Sequence, residues 1–175
     1  MMKLLKYMIL TLLTCWTSIL LANSPTAPSH KADVLFTQLA QSATITPMHK
    51  ANWYKITLNK VAEHTAWFAD RPARRHGKLT TKRFVQLWHQ GKNDFAQNPP
   101  NANLVFLSTT NHGLTETHEH IAKLTAPHYQ PTAQKLSYQV ELLPPAHKIA
   151  VTKTNEVALF IDSFDPGCIN IFKCL

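Results

Sequence analysis

Glycine is scarce in this chain, with only 4 among 175 residues. Motifs that cradle phosphate groups depend on closely spaced glycines, and neither a G-x-G-x-x-G nor a Walker A string occurs. The H-E-x-x-H string of zinc proteases and the G-x-S-x-G string of many hydrolases are also missing. The sequence therefore argues against dinucleotide enzymes, P-loop NTPases, zincin proteases and hydrolases with a nucleophile elbow.

Charge is missing from one early stretch, residues 8–22, which follows two lysines at the amino terminus. A basic start, an apolar run and small polar residues afterwards are typical of a secretory signal. A helix of fifteen residues spans about 22 Å, short of the ~30 Å hydrocarbon core, so a membrane anchor is disfavoured. Lipidation at Cys15 is disfavoured because Thr14 precedes it, where glycine or alanine is usual before a lipidated cysteine. We predict a signal peptide over 1–22, a linker over 23–32, and an exported mature chain without a transmembrane segment.

Cysteine is also rare, and loss of the signal peptide leaves only Cys168 and Cys174. Two cysteines so close together in an exported chain predict one disulfide that ties down the carboxyl terminus. A thiol metal site is the alternative, but it needs four ligands and the mature chain has no second cysteine pair. No cofactor is predicted.

Alternating apolar and polar residues predict several short strands. The clearest are Trp53 to Asn59 and Leu136 to Leu143, whose apolar side chains recur at every second position. Strands are also expected at His64 to Ala69, Asn103 to Ser108 and His118 to Ala126, whereas the segment from Val34 fits a strand or a short helix.

One helix is expected between these strands. Thr80 or Thr81 can cap its start, Phe84, Leu87 and Trp88 share one face, and Gly91 suits its end. Because helices are absent between most strands, the pattern predicts a mainly β fold, an antiparallel β-sandwich or a barrel-like sheet with one short helix.

The predicted β domain covers residues 33–143. A C-terminal extension over 144–175 is expected to pack on the same domain and to contain a hairpin, whose turn would be Lys153 to Glu156.

Three strings of this sequence occur together in a known pattern: Phe68-Ala-Asp-Arg-Pro-Ala-Arg74, Phe84-Val-Gln-Leu-Trp88 and Phe95-Ala-Gln-Asn-Pro-Pro-Asn-Ala102. Together they resemble an uncharacterised family of small exported bacterial proteins, over roughly residues 34–143. The resemblance implies a mainly β exported domain, and it implies no activity.

Basic residues cluster in one segment. Its cations can clamp a carboxylate or a phosphate, and neighbouring aromatic rings can stack on a sugar or a base. The alternatives are that Asp70 pairs with Arg74 or caps the turn, and that the cations form a solvated face. The candidate ligand-binding residues are Asp70, Arg71, Arg74, Arg75, Lys78, Lys82 and Arg83.

Histidine is abundant, with 10 residues in the chain. His118 and His120 would project to one side of a strand and could share a metal, with His112 as a possible third ligand. The alternative is the exposed polar face of an edge strand.

The preferred hypothesis is a non-enzymatic exported β domain that binds a protein partner or an anionic surface through the basic segment over residues 70–83. The formal net charge of +8 falls to +6 when the two lysines of the signal peptide are lost, and it favours anionic partners. Sequence-specific nucleic acid binding is not expected. The alternatives are a secreted metal-dependent or hydrolytic enzyme that uses His118 and His120, and a structural component of an envelope assembly.

Overall fold

Antiparallel strands dominate the computed structural model of the chain. The predicted signal peptide and linker, residues 1–22 and 23–32, lie outside the residues that the structure describes. The described residues belong to one compact unit that spans residues 31–175. They are residues 34–69, 71, 74–89, 95–109, 112–144, 148–150 and 153–163.

Nine strands and one short helix are present within these ranges. The strands are β1 (Val34–Pro47), β2 (Trp53–Val61), β3 (His64–Ala69), β4 (His76–Thr80), β5 (Asn101–Thr109), β6 (Thr115–Gln130), β7 (Lys135–Leu142), β8 (Lys153–Thr154) and β9 (Glu156–Ser163). The helix α1 (Thr81–Gln86) is followed by a 3₁₀ turn (Leu87–His89). No helix in the described part of the chain is both long enough and apolar enough to cross a membrane.

Six strands close a ring of antiparallel hydrogen bonds in the order β1, β2, β7, β6, β5, β9 and back to β1. The length of β1 allows this closure, since its first half pairs with β9 and β3 and its second half with β2 and β8. β3 leaves the ring beside β1 and pairs outward with β4. The predicted mainly β, antiparallel fold with one short helix is confirmed, and the closed ring makes it barrel-like.

The core fills the inside of the ring. Inward residues alternate along each strand, as the sequence pattern predicts, and pair with inward residues of the next strand: Ile45 lies opposite Ile56, and Ile56 opposite Tyr138. The fully buried large aliphatic side chains are Ile56, Leu58, Leu104, Leu124, Leu136, Leu159 and Ile161.

Helix α1 begins as the sequence predicts. The Thr80 side chain accepts a hydrogen bond from the Arg83 backbone N–H at 3.2 Å and so caps the helix. Phe84 and Trp88 are buried, and their rings pack edge-on at 5.5 Å. Trp88 also lies 5.9 Å from the ring of Tyr138 in β7, so these aromatic side chains join α1 to the interior of the barrel.

A chain of polar side chains crosses the apolar core. Tyr138 Oη donates to Gln38 Oε1 at 2.8 Å, and Gln38 Nε2 donates to Thr65 Oγ1 at 3.1 Å. Thr81 Oγ1 donates to the Ala62 carbonyl at 2.7 Å, so it accepts from Thr65 Oγ1, 3.4 Å away. The chain therefore has one direction from β7 to the start of α1, and burial raises the pKa of Tyr138 above its ordinary value.

The structure corrects the carboxyl-terminal part of the fold. The predicted hairpin turn at Lys153 to Glu156 is wrong, because β8 and β9 both run antiparallel to β1 in one continuous register. β9, which lies within 144–175, hydrogen-bonds between β5 and β1 in the ring. The segment from Val34 is a strand rather than a short helix. β6 extends beyond the predicted His118 to Ala126, with an irregularity in its pairing between Thr125 and His128.

Candidate binding surface

The candidate surface is the hairpin of β3 and β4 together with the start of α1, which we call the cationic hairpin (residues 64–83). β4 stands at the end of the strand order, with β3 as its neighbour. The Ala69 N–H donates to the Arg75 carbonyl at 2.7 Å and closes the hairpin at its tip. Arg74 has a φ of +45°, in the left-handed region that non-glycine residues seldom adopt.

A tryptophan on the inner face fixes the position of β4. Trp67 is buried and lies directly opposite Gly77 in the register. A Cβ atom added to Gly77 would lie 2.9 Å from the indole ring, so glycine lets the ring pack against the β4 backbone. Leu79 follows on the same inner face and is also buried. The hairpin is thus attached to the core along its length, although it lies outside the ring.

From Arg71 onward, the charged residues of the cationic hairpin are all basic. No Asp or Glu occurs between Arg71 and His89. The exposed cations in this stretch are Arg71, Arg74, Arg75, Lys78 and Lys82. Arg83 is half-buried, and its guanidinium donates to Gln86 Oε1 at 3.1 Å. The structure therefore brings six of the seven predicted ligand-binding residues onto one hairpin and helix, while the seventh, Asp70, lies outside the described residues.

Apolar side chains continue from the hairpin across the outer face of the sheet. Phe68 is 49% exposed and lies opposite His76 in β4 and Leu35 in β1. Phe160 in β9 and Leu39 in β1 are also exposed. Leu35 lies directly opposite Phe68, and Phe160 is the diagonal neighbour of both Leu35 and Leu39 at ~7–8 Å, while Thr37 and Asp162 lie among them on the same face. We call Leu35, Leu39, Phe68 and Phe160 the apolar strip.

Lys78 and His76 lie on this outer face with the apolar strip, because Lys78 lies opposite Ala66 and His76 lies opposite Phe68. Cations attract phosphate and carboxylate groups, and an aromatic ring beside them supplies apolar contact area. The arrangement fits a partner that offers negative charge and an apolar layer together. The cations can be recognised in the sequence, but the apolar strip cannot, because it joins residues from three strands that are distant in the chain.

The structure places His118 and His120 on one side of β6, as the sequence predicts. His118 and His120 are half-buried in β6, opposite Phe106 and Leu104 of β5, while His112 is exposed between these two strands. The described residues contain no group of three or more His, Cys, Asp or Glu side chains that could hold a metal. A metal site at these histidines stays a prediction.

A serine, missed by the sequence analysis, lies against the first of these histidines. His118 Nε2 is 2.9 Å from Ser108 Oγ and 3.8 Å from a carboxylate oxygen of Glu116. A hydroxyl beside a histidine is one element of a nucleophilic site, but catalysis also needs a group that orients the other ring nitrogen. The described residues supply no such partner to His118, so the pair by itself is incomplete as a catalytic set.

The predicted disulfide partners, Cys168 and Cys174, lie outside the described residues. Comparison of the chain with protein-family models, curated proteins and solved structures finds no match.

Proposed function

We propose that the protein binds an anionic lipid surface through the cationic hairpin and the apolar strip. The observation that carries the proposal is the placement of Lys78 and His76 opposite Ala66 and Phe68, which puts a lysine, a histidine and an exposed aromatic ring on one outer face. Each Lys or Arg near an anionic membrane contributes about 1 kcal/mol of attraction. Several such cations on a firmly packed hairpin are enough for measurable binding.

The apolar strip favours a lipid surface over an acidic polysaccharide. A bilayer offers phosphate groups above an acyl layer, and aromatic side chains settle at the boundary between them. About half of Phe68 is exposed, so its insertion would bury roughly 100 Å² and contribute about 2 kcal/mol. A polysaccharide has no acyl layer that would take up Leu39 and Phe160.

The first experiment measures co-sedimentation with vesicles of phosphatidylcholine alone and with phosphatidylglycerol added. Arg74→Glu plus Arg75→Glu should weaken binding to the anionic vesicles by about 30-fold or more, since two attractions of about 1 kcal/mol are lost and repulsion is added. Binding by the native protein should fall as salt is raised. The matched control is Lys55→Glu plus Lys135→Glu, which makes the same change in charge at exposed positions of β2 and β7.

Two results would overturn the proposal. One is unchanged binding by the arginine variant, and the other is an equal loss in the lysine control, which would show that net charge alone drives the association.

A second experiment separates lipid from polysaccharide. Phe68→Ser should weaken vesicle binding by about 30-fold, whereas Phe68→Leu, which keeps an apolar side chain, should retain most of it. If heparin binds more tightly than the anionic vesicles, and Phe68→Ser leaves vesicle binding unchanged, the lipid proposal is wrong.

A further inference from the structure

A second site lies where the alternation of inward and outward side chains slips in three neighbouring strands. In β1, β2 and the β8–β9 pair, the alternation of buried and exposed residues slips by one position at the same level of the sheet. In β1, Ala40 and Ala43 both face the core, with two outward residues between them. Across the β8–β9 junction, Thr154 and Val157 both face the core, again with two outward residues between them. The slip places extra side chains on the outer surface at this level.

An open pocket of about 400 Å³ lies at this level, outside the barrel. Its volume falls within the range of small-molecule sites. Three of the lining residues are alanines, whose short side chains leave space over the backbone. The apolar lining residues are Leu39, Ala40, Ala62, Leu107, Val157 and Ala158.

Two opposite charges and an amide line the same pocket. Lys60, Gln41 and Glu156 are all exposed, and none of their side chains has a hydrogen-bond or ion-pair partner in the described part of the chain. Lys60 has a φ of +52°, a left-handed conformation that costs free energy for a residue with a side chain. Left-handed residues outside glycine often mark functional positions.

The register places Gln41 between the two charges. Its neighbours Ala40 and Ser42 pair with Val61 and Asn59, so Gln41 lies beside Lys60 of β2. On the other side, Ala40 pairs with Val157, so Gln41 lies beside Glu156. Adjacent strands are ~4.8 Å apart, and the Lys60 and Glu156 backbones are therefore separated by about 10 Å.

We propose that this pocket binds a short peptide with free amino and carboxyl ends. Glu156 receives the ammonium group, Lys60 receives the carboxylate, and Gln41 meets a peptide group between them. An extended tripeptide spans about 10 Å, the same as the separation of the two backbones from which the Lys60 and Glu156 side chains project. The apolar lining takes an aliphatic side chain of the peptide, and charge complementarity at both ends selects a zwitterion.

The test is titration calorimetry with the tripeptide alanyl-leucyl-alanine, its N-acetylated form and its C-terminal amide. Because both charged side chains are exposed, loss of one end contact should weaken binding by about fivefold. Glu156→Gln should show this loss for the free tripeptide but no further loss on acetylation of the peptide. Lys60→Asn should likewise be insensitive to amidation, and asparagine tolerates the left-handed backbone at this position.

The control variant is Glu63→Gln, which removes an exposed carboxylate that does not line the pocket. It should bind the free tripeptide as the native protein does. Absence of heat at millimolar peptide, equal affinity for free and doubly blocked peptides, or equal losses in Glu63→Gln and Glu156→Gln would overturn the proposal. None of these results depends on binding to lipid, so this site and the cationic hairpin are tested separately.

Discussion

Replacing Tyr138 by phenylalanine should destabilise the barrel although it removes a single oxygen atom. The Tyr138 hydroxyl donates to Gln38 Oε1, and Gln38 is 1% exposed. Without that donor, the amide oxygen stays buried and unsatisfied, since the apolar core around it leaves water no access. The cost is that of burying a polar atom without its hydrogen bond, which exceeds the net value of an average hydrogen bond.

The expected loss of stability follows from the cost of leaving the Gln38 amide oxygen buried without a donor. An unsatisfied buried acceptor costs about 1–3 kcal/mol, and we expect about 2 kcal/mol for Tyr138→Phe. For a domain of this size, 1 kcal/mol shifts the melting temperature by about 2–4 °C, so the variant should melt about 6 °C lower. Urea unfolding followed by tryptophan fluorescence, with calorimetry as a second measurement, gives both values.

A double variant tests the explanation. Tyr138→Phe combined with Gln38→Met removes donor and acceptor together, so its loss of stability should be clearly smaller than the sum of the two single losses. Strictly additive losses, or a Tyr138→Phe variant within about 0.5 kcal/mol of the native protein, as for a surface substitution, would show that Gln38 Oε1 is not left unsatisfied in the core.

Two further predictions concern pH and the hairpin. Burial raises the pKa of Tyr138, so the unfolded chain loses the hydroxyl proton near pH 10, before the native state does. The contribution of this group to the free energy of unfolding should therefore be constant below about pH 10. Above that pH it should fall by about 1.4 kcal/mol per pH unit. Urea unfolding at several alkaline pH values should show a shallower fall in Tyr138→Phe, and parallel curves for both proteins would contradict this. In the hairpin, Gly77→Ala places a Cβ atom 2.9 Å from the Trp67 ring and should cost about 1–3 kcal/mol in urea unfolding. An unchanged unfolding midpoint would show that the ring does not depend on this close approach.

Local patterns in the sequence predicted much of the secondary structure. The alternation of Tyr54, Ile56 and Leu58 along β2 marks the buried face of that strand, and the whole of β3 was predicted with its observed ends. The capping of α1 by Thr80 is also a local feature, because its hydrogen bond joins residues only three positions apart in the chain. The structure confirms these predictions, since each depends on residues that are neighbours in sequence.

Features that depend on register between distant strands were not visible in the sequence. Ser108 meets His118 only because β5 and β6 pair in one particular alignment. The predicted turn at residues 153–156 was wrong for a related reason: short polar segments suit turns and strand breaks equally, and only pairing with β1 decides between them. The pocket beside Lys60 likewise joins residues from four separate stretches of chain.

Three features can be read from the sequence alone, because they are properties of adjacent residues: the strand periodicity, the capped helix and the absence of acidic residues from Arg71 to His89. The fold adds what the sequence does not show: the sheet closes on itself, Phe68 shares a face with His76 and Lys78, and Gln41 lies between Lys60 and Glu156. These features escape the sequence because strand pairing is set by hydrogen bonds and core packing between segments far apart in the chain, which no local pattern encodes.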